Sequence, residues 1–235
     1  MTSLLLIGTL TGCVQTTEQK SARAKLAADR LLAGQQPLRV TDPDPDVSVL
    51  RVTAVGTGGR TAIVVTLRNR SRRVLSDLPI LIGETTPTGG TTYLDDQPAL
   101  AYFQTHVGAV GAGRTVIWVS TSARPPKPGG RLFARVGSPA VTDQAGAASL
   151  PLLTMSVAGL PSHGAVLVTV TNHSSVTQSG LVVYASATSA GVLSAGGRAS
   201  LSELDGDAHS TVRIDLIGRP AGGAVSAQAP PVNLR

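Results

Sequence analysis

From Val47 onward the chain is a succession of short runs in which apolar and polar residues alternate, each broken by Gly, Asn, Ser or Pro. A period of two puts successive side chains on opposite faces of an extended strand, so this part of the chain can build sheets but not a helical bundle. Residues 47–55, 61–68, 78–82, 114–120 and 131–136 are predicted strands at the spacing of a β-sandwich, and no helix is expected between them. Within the second run Ile63, Val65 and Leu67 point one way and Val64, Thr66 and Arg68 the other, the pattern of a half-buried antiparallel strand.

The pattern occurs twice. Laying residues 60–85 on residues 163–188 without a gap sets Ile63, Val65 and Leu67 on Val166, Val168 and Val170, then Asn69 and Ser71 on Asn172 and Ser174, then Ser76 and Leu78 on Ser179 and Leu181. Arg124-Pro125 before Gly129-Gly130 is echoed by Arg219-Pro220 before Gly222-Gly223. The expected fold is all-β, with two tandem immunoglobulin-like sandwiches, residues 47–138 and 151–235, joined by a Gly/Ala/Ser-rich link at 139–150. The repeated strand ending in Asn-x-Ser, the Leu-x-Ile/Val strand after it and the Gly113-Arg114-Thr115-Val116 entry to a late strand resemble small immunoglobulin-like domains of bacterial surface proteins, of the FxLYD or CARDB kind. The resemblance implies a spacer or binding module and no particular chemistry.

Ahead of the sandwiches, Leu10-Thr11-Gly12-Cys13 closes a short apolar run. The motif resembles the lipobox of bacterial lipoproteins, in which a small residue before the thiol admits the signal peptidase and the cysteine sulfur takes a diacylglyceryl group. Residues 1–12 are then a signal peptide and Cys13 the first mature residue, held by its acyl chains on the extracytoplasmic side of the cell membrane. The segment before Leu4 lacks the Lys or Arg that opens such a leader, as expected if translation starts upstream. The run 4–10 is far below the ~20 residues of a spanning helix. Residues 13–46 form the tether. Ala24, Ala27, Ala28, Leu31 and Leu32 recur at helical spacing and Gly34 is a natural stop, so a short helix is expected there. Thr41-Asp42-Pro43-Asp44-Pro45-Asp46 should be a stiff extended spacer.

The single cysteine, once acylated, leaves no thiol, which excludes disulfides, cysteine nucleophiles and thiolate metal sites together. The net charge of +6 is uneven: residues 47–138 hold eleven Lys/Arg against four Asp/Glu, or +7, and residues 139–235 hold four against five, or −1. With so few aromatics a nucleic-acid partner is not expected, and anionic lipid, wall polymer or an acidic protein is nearer. Arg68, Arg70, Arg72 and Arg73 crowd the turn after the second strand. They make either a solvated turn or a membrane-facing basic patch at the pole where the tether enters. Residues 85–104 carry Tyr93, Tyr102 and Phe103 with Asp95 and Asp96, either a partner-facing surface or a loop folded back to cap a sandwich edge. Trp118 reads as core.

His106, His163, His173 and His209 show no metal-ligand spacing, and Asp205-Gly206-Asp207 with His209 reads as a hairpin turn. Serines lack a nucleophile elbow, and no Gly-rich phosphate loop follows a strand. Neither catalysis nor a cofactor is expected. The chain reads as a non-catalytic envelope lipoprotein that binds or scaffolds another envelope or integral membrane protein on the outer face of the cytoplasmic membrane. The alternative is an accessory subunit or assembly factor of a membrane enzyme complex.

Overall fold

The structure, a computed structural model, describes residues 38–97, 100–139, 150–162, 164–220 and 222–234, without the side chains of 159–162. The signal motif at Leu10, Thr11, Gly12 and Cys13, the expected tether helix, most of the 139–150 link and His163 lie outside the described residues. The rest is all-β. The first half contains β1 (Val47–Thr57), β2 (Arg60–Asn69), β3 (Leu78–Thr85), β4 (Thr91–Tyr93), β5 (His106–Val107), β6 (Thr115–Ser120) and β7 (Arg131–Val136). The second contains β8 (Leu153–Ser162), β9 (Ala165–Asn172), β10 (Gln178–Ser189), β11 (Val192–Leu204), β12 (His209–Asp215), β13 (Ile217–Gly218) and β14 (Ala224–Gln228). Among the described residues the helical content is one 3₁₀ turn, Tyr102–Gln104.

In each half one sheet is built around the strand that the alternation singled out. β2 lies between β1 and β6, and β9 between β8 and β12, all antiparallel. Gly58 and Gly59, at φ +57° and +77°, close the β1–β2 hairpin in the left-handed region that a two-residue turn of this kind requires. The facing sheet of the first half centres on β3, flanked by β7 on one side and by β4 and β5 on the other. That of the second centres on β10, between β11 and β14, with β13 beyond β11. Ile63, Val65, Leu67, Leu78, Ile80, Ile82 and Trp118 fill the first core, and Val166, Val168, Val170, Leu181, Val183 and Ala185 the second.

The two halves repeat one another down to side-chain hydrogen bonds. Asn69 and Asn172 end their strands fully buried, and each amide nitrogen donates to two carbonyls: Arg73 and Val110 at 2.7 and 2.9 Å, Val176 and Asp205 at 2.9 Å each. Each amide oxygen accepts the backbone N–H and the hydroxyl of the serine two residues on, Ser71 or Ser174. The Asn-x-Ser repeat is therefore a plug for the turn that crosses from one sheet to the other, an Asx turn reinforced by a serine. Asp77 and Gly180, equivalent in the gapless superposition, both sit at positive φ, +59° and +68°, Asp77 just before β3 and Gly180 as the third residue of the longer β10.

One expectation fails informatively. Val64, assigned to the wet face of β2, is buried together with Ile63 and Val65. The cause is the second sandwich. Val182 and Tyr184 of β10 and Ile217 of β13 pack into the first hydrophobic cluster, and the α-carbon of Gly196 in β11 lies against Val64, Ala62 and Val119. A Cβ on Gly196 would come within 2.6 Å of Val64, so the bare glycine permits the approach. Both faces of β2 and of β10 are thus covered, and the sheets stack in four layers: β3 with its neighbours, β1-β2-β6, then β10-β11 with β13 and β14, then β8-β9-β12.

Hydrogen bonds stitch the two halves along one edge. The Ile117 N–H on the outer edge of β6 donates to the Gln228 side chain at 2.8 Å, and the Ala109 N–H to the Pro231 carbonyl at 2.7 Å. Gln178, fully buried, accepts the N–H groups of Val232 and Asn233 at 2.9 and 3.1 Å and donates to the Asn233 carbonyl. This fixes residues 228–233 along the seam.

Residues 41–46 are not a free spacer. The Asp44 N–H donates to the Val136 carbonyl, Pro43 pairs with Gly137, and Val40 is buried against Gly137. The prolines keep the segment extended as expected, but it lies as a strap on the first sandwich.

Candidate functional site

The turn that carries Arg68, Arg70, Arg72 and Arg73 lies at the end of the sandwich where the chain reaches β1, since Val47 pairs with Asn69. The Arg70 N–H donates to the Asp46 carbonyl, and its guanidinium donates to the Pro45 carbonyl. Arg73 lies 3.4 Å from the Asp46 carboxylate with both side chains well exposed, a pair worth little in water. Arg68 and Arg72 are exposed. Half of the cluster is therefore occupied in holding the strap.

The aromatic segment divides. Tyr93, in β4, and the residues after it fold back onto the edge of the sandwich. The Ile82 N–H donates to Asp95 Oδ2 at 2.8 Å, the Arg124 N–H to the Leu94 carbonyl at 2.8 Å, and the Gln97 side chain to the Ser122 carbonyl at 2.9 Å. Asp95 is 5% exposed, so it belongs to the wall and not to a partner surface. Asp96 pairs with Arg39 at 3.5 Å. Burial pushes the Asp95 carboxyl up to about 6, against the Ile82 hydrogen bond that favours its charge.

That shift sets a pH dependence. Between pH 3.8 and about 6 the folded chain holds a proton that the unfolded chain releases, so stability falls as pH rises through this window. Above it the cost is fully present, about 2–3 kcal/mol. Asp95→Asn, which keeps an oxygen for the Ile82 N–H, should reduce the loss of Tm between pH 4.5 and 7 by several degrees. Parallel curves for variant and parent would refute the assignment.

Tyr102 and Phe103 do face a partner, but it is the other half of the same chain. They line a cavity of about 180 Å³ between the sandwiches together with Val107, Val182 and Tyr184. Tyr102 stacks on His106 with ring centroids 3.8 Å apart. The Arg198 guanidinium lies over the Phe103 ring at 5.2 Å and donates to the Ser122 hydroxyl at 3.1 Å. Arg198 stands beside Tyr184 across the β10–β11 ladder. Burial lowers the guanidinium's pKa and raises that of the Tyr184 phenol. The anchor-like character of Phe103 was legible in the sequence; its target was not, because the contact joins residues far apart in the chain.

Among the described residues no group of three or more His, Cys, Asp or Glu could hold a metal ion. Asp205, Gly206 and Asp207 form the turn from β11 to β12, with Asp207 at φ +56°. His173 pairs with the Thr154 hydroxyl at 2.8 Å, and His209 stands exposed at the start of β12. No helix among the described residues is long and apolar enough to cross a membrane. No known protein family and no curated protein matches the chain.

The outer face of the β3 sheet holds an arrangement that the sequence reading missed. Gly83 pairs with Tyr93 on one side and Phe133 on the other, and the Phe133 ring lies where a Cβ on Gly83 would be, at 2.3 Å. The two rings meet edge to face, with centroids 6.4 Å apart at 78°. Arg39 lies over Tyr93 and Arg135 over Phe133, each at 5.6 Å. Arg124 donates to the Tyr93 carbonyl at 3.2 Å. Arg131, exposed, shares a shallow groove with Phe133, Arg135, Thr85 and Thr91. The usable signal was register: the alternation of β7 puts Arg131, Phe133 and Arg135 on one side, but the place of Tyr93 and Arg39 depends on pairings that no local pattern encodes.

Proposed function

We propose that the chain is a lipid-anchored, non-catalytic binding or scaffold module on the outer face of the cytoplasmic membrane, contacting another envelope or integral membrane protein. The observation that carries this reading is Leu10-Thr11-Gly12-Cys13 at the end of an apolar run, with Cys13 the single cysteine of the chain. Two acyl chains anchor durably where one gives only marginal binding. The fold supports the same reading: polar side chains drawn into the interior, such as Asn69, Asn172 and Gln178, are engaged in holding turns and the C-terminal tail. In an exporting bacterial host, Cys13→Ser is expected to abolish labelling by radioactive palmitate and to move the protein from the membrane to the soluble fraction. Mass spectrometry of the mature N-terminus should find a diacylglyceryl-modified Cys13. An unmodified thiol on a soluble product would end the proposal.

A further inference from the structure

We infer that the outer face of the β3 sheet is a lipid-contacting surface that lays the first sandwich flat against an anionic bilayer. Four observations converge on this face. Arg39, Arg124, Arg131 and Arg135 lie on or beside it, and Lys127 sits at its far end, where its N–H is held by the Glu84 carboxylate. Carboxylates are interleaved with that charge, Glu84 and Asp95 buried, Asp96 against Arg39 and Asp42, Asp44 and Asp46 on the strap, but among the described residues Arg131, Arg135 and Lys127 make no ion pair with any of them.

The second observation is chemical. Two guanidinium groups rest over aromatic rings, a geometry that spreads their stems and rings on the protein; Arg39 turns one edge to Asp96, and Arg135, with no ion pair among the described residues, keeps its N–H edges for phosphate oxygens. Aromatic rings beside cationic groups are what a bilayer interface accommodates, apolar body inward and charge at the headgroups.

Third, Arg39, fixed over Tyr93 and against Asp96, stands only 26 positions after Cys13 in the sequence. At that separation along the chain a surface contact is effectively intramolecular, and a millimolar affinity suffices to hold an orientation. Fourth, the face continues into the basic pole, since Asp44 and Pro43 bond the end of β7 while Asp46 meets Arg70. The anchor of the proposed function enters only through this proximity; the surface chemistry stands without it.

The test uses the full-length chain carrying Cys13→Ser, so that no acyl group contributes, with vesicles of phosphatidylglycerol and phosphatidylcholine or of phosphatidylcholine alone. The expected result is co-sedimentation with the anionic vesicles only, abolished by 0.5 M salt as the charges are screened. Arg39→Gln, Arg131→Gln and Arg135→Gln together should lower partitioning on the order of a hundredfold, at about fivefold per charge, while Arg219→Gln on the second sandwich leaves it unchanged. A Tyr93→Trp variant should shift its emission to the blue on anionic vesicles. Equal binding by the triple variant, or binding to soluble polyglycerol phosphate but not to vesicles, would overturn the inference, the latter in favour of a wall polymer. Because lipidation is read separately from the native N-terminus, a chain without an anchor can still pass this test, and an anchored chain can still fail it.

Discussion

Tyr184→Ala should lower stability by about 3–5 kcal/mol and split a single unfolding transition into two. Tyr184 is 2% exposed and belongs to β10 of the second sandwich, yet its ring packs into the core of the first. It lines the cavity between the halves together with Tyr102, Phe103 and Val107 of the first and Val182 and Val232 of the second. Truncation would enlarge a cavity already present between the sandwiches, and neither sheet can collapse into it without leaving its own core. The measurement is favoured by the single tryptophan. Trp118 is fully buried in the first core, so its fluorescence reports that half alone, whereas far-UV circular dichroism reports both. In the parent the two urea curves should coincide, as the shared burial of Val64, Val182, Tyr184 and Ile217 at about 1.5–3 kcal/mol each requires. In the variant they should separate. Coincident curves with a loss below about 1 kcal/mol would show that the seam contributes little to cooperativity.

Asn69→Ala and Asn172→Ala should each cost about 3 kcal/mol. Each amide makes four hydrogen bonds in the interior, and a methyl group leaves the carbonyls of Val110 or Asp205, and the N–H of Ser71 or Ser174, without that partner. Asn→Asp is the sharper probe. It keeps the shape and the accepting oxygen but turns two donors into an acceptor facing two carbonyls, so the loss should equal or exceed that of alanine. Ser71→Ala and Ser174→Ala remove a smaller share and should cost about 1 kcal/mol. The two asparagines serve different cores, so the double alanine variant should be additive within about 0.5 kcal/mol. Urea midpoints near those of the parent would mean that water replaces the plug.

The repeat and the strands were legible because both are local. The period-two alternation located β1, β2, β3, β6 and β7 to within a few residues, and the gapless match of residues 60–85 on 163–188 anticipated that β9 and β10 repeat β2 and β3. The Asn-x-Ser recurrence was visible as a pattern, but its role needed the carbonyls of Val110 and Asp205, which are 41 and 33 residues away. The stacking of the halves was not legible. Val64 on β2 alternates like a solvent-facing residue, and the glycine that receives it, Gly196, lies on β11 far along the chain. The same blindness hid the destinations of Phe103 and Tyr93, one turned to the second sandwich and the other to an outer sheet with Phe133. Composition placed the basic charge in the first half. It could not divide arginines that hold the strap, Arg70 and Arg73, from those that ride on aromatic rings, Arg39 and Arg135.

Because β2 and β10 are each covered on both sides, the molecule is a solid block and not two beads on a string. Adjacent sheets pack about 10 Å apart, so three intervals set the β8-β9-β12 layer about 30 Å from the β3 layer. That outermost layer presents Thr154, Ser156 and Thr211, exposed beside the mutually paired Arg213 and Asp215, at a fixed standoff from the arginine-bearing side. Whatever rests against one side of the block, the hydroxyl-rich side is displayed at a constant height above it.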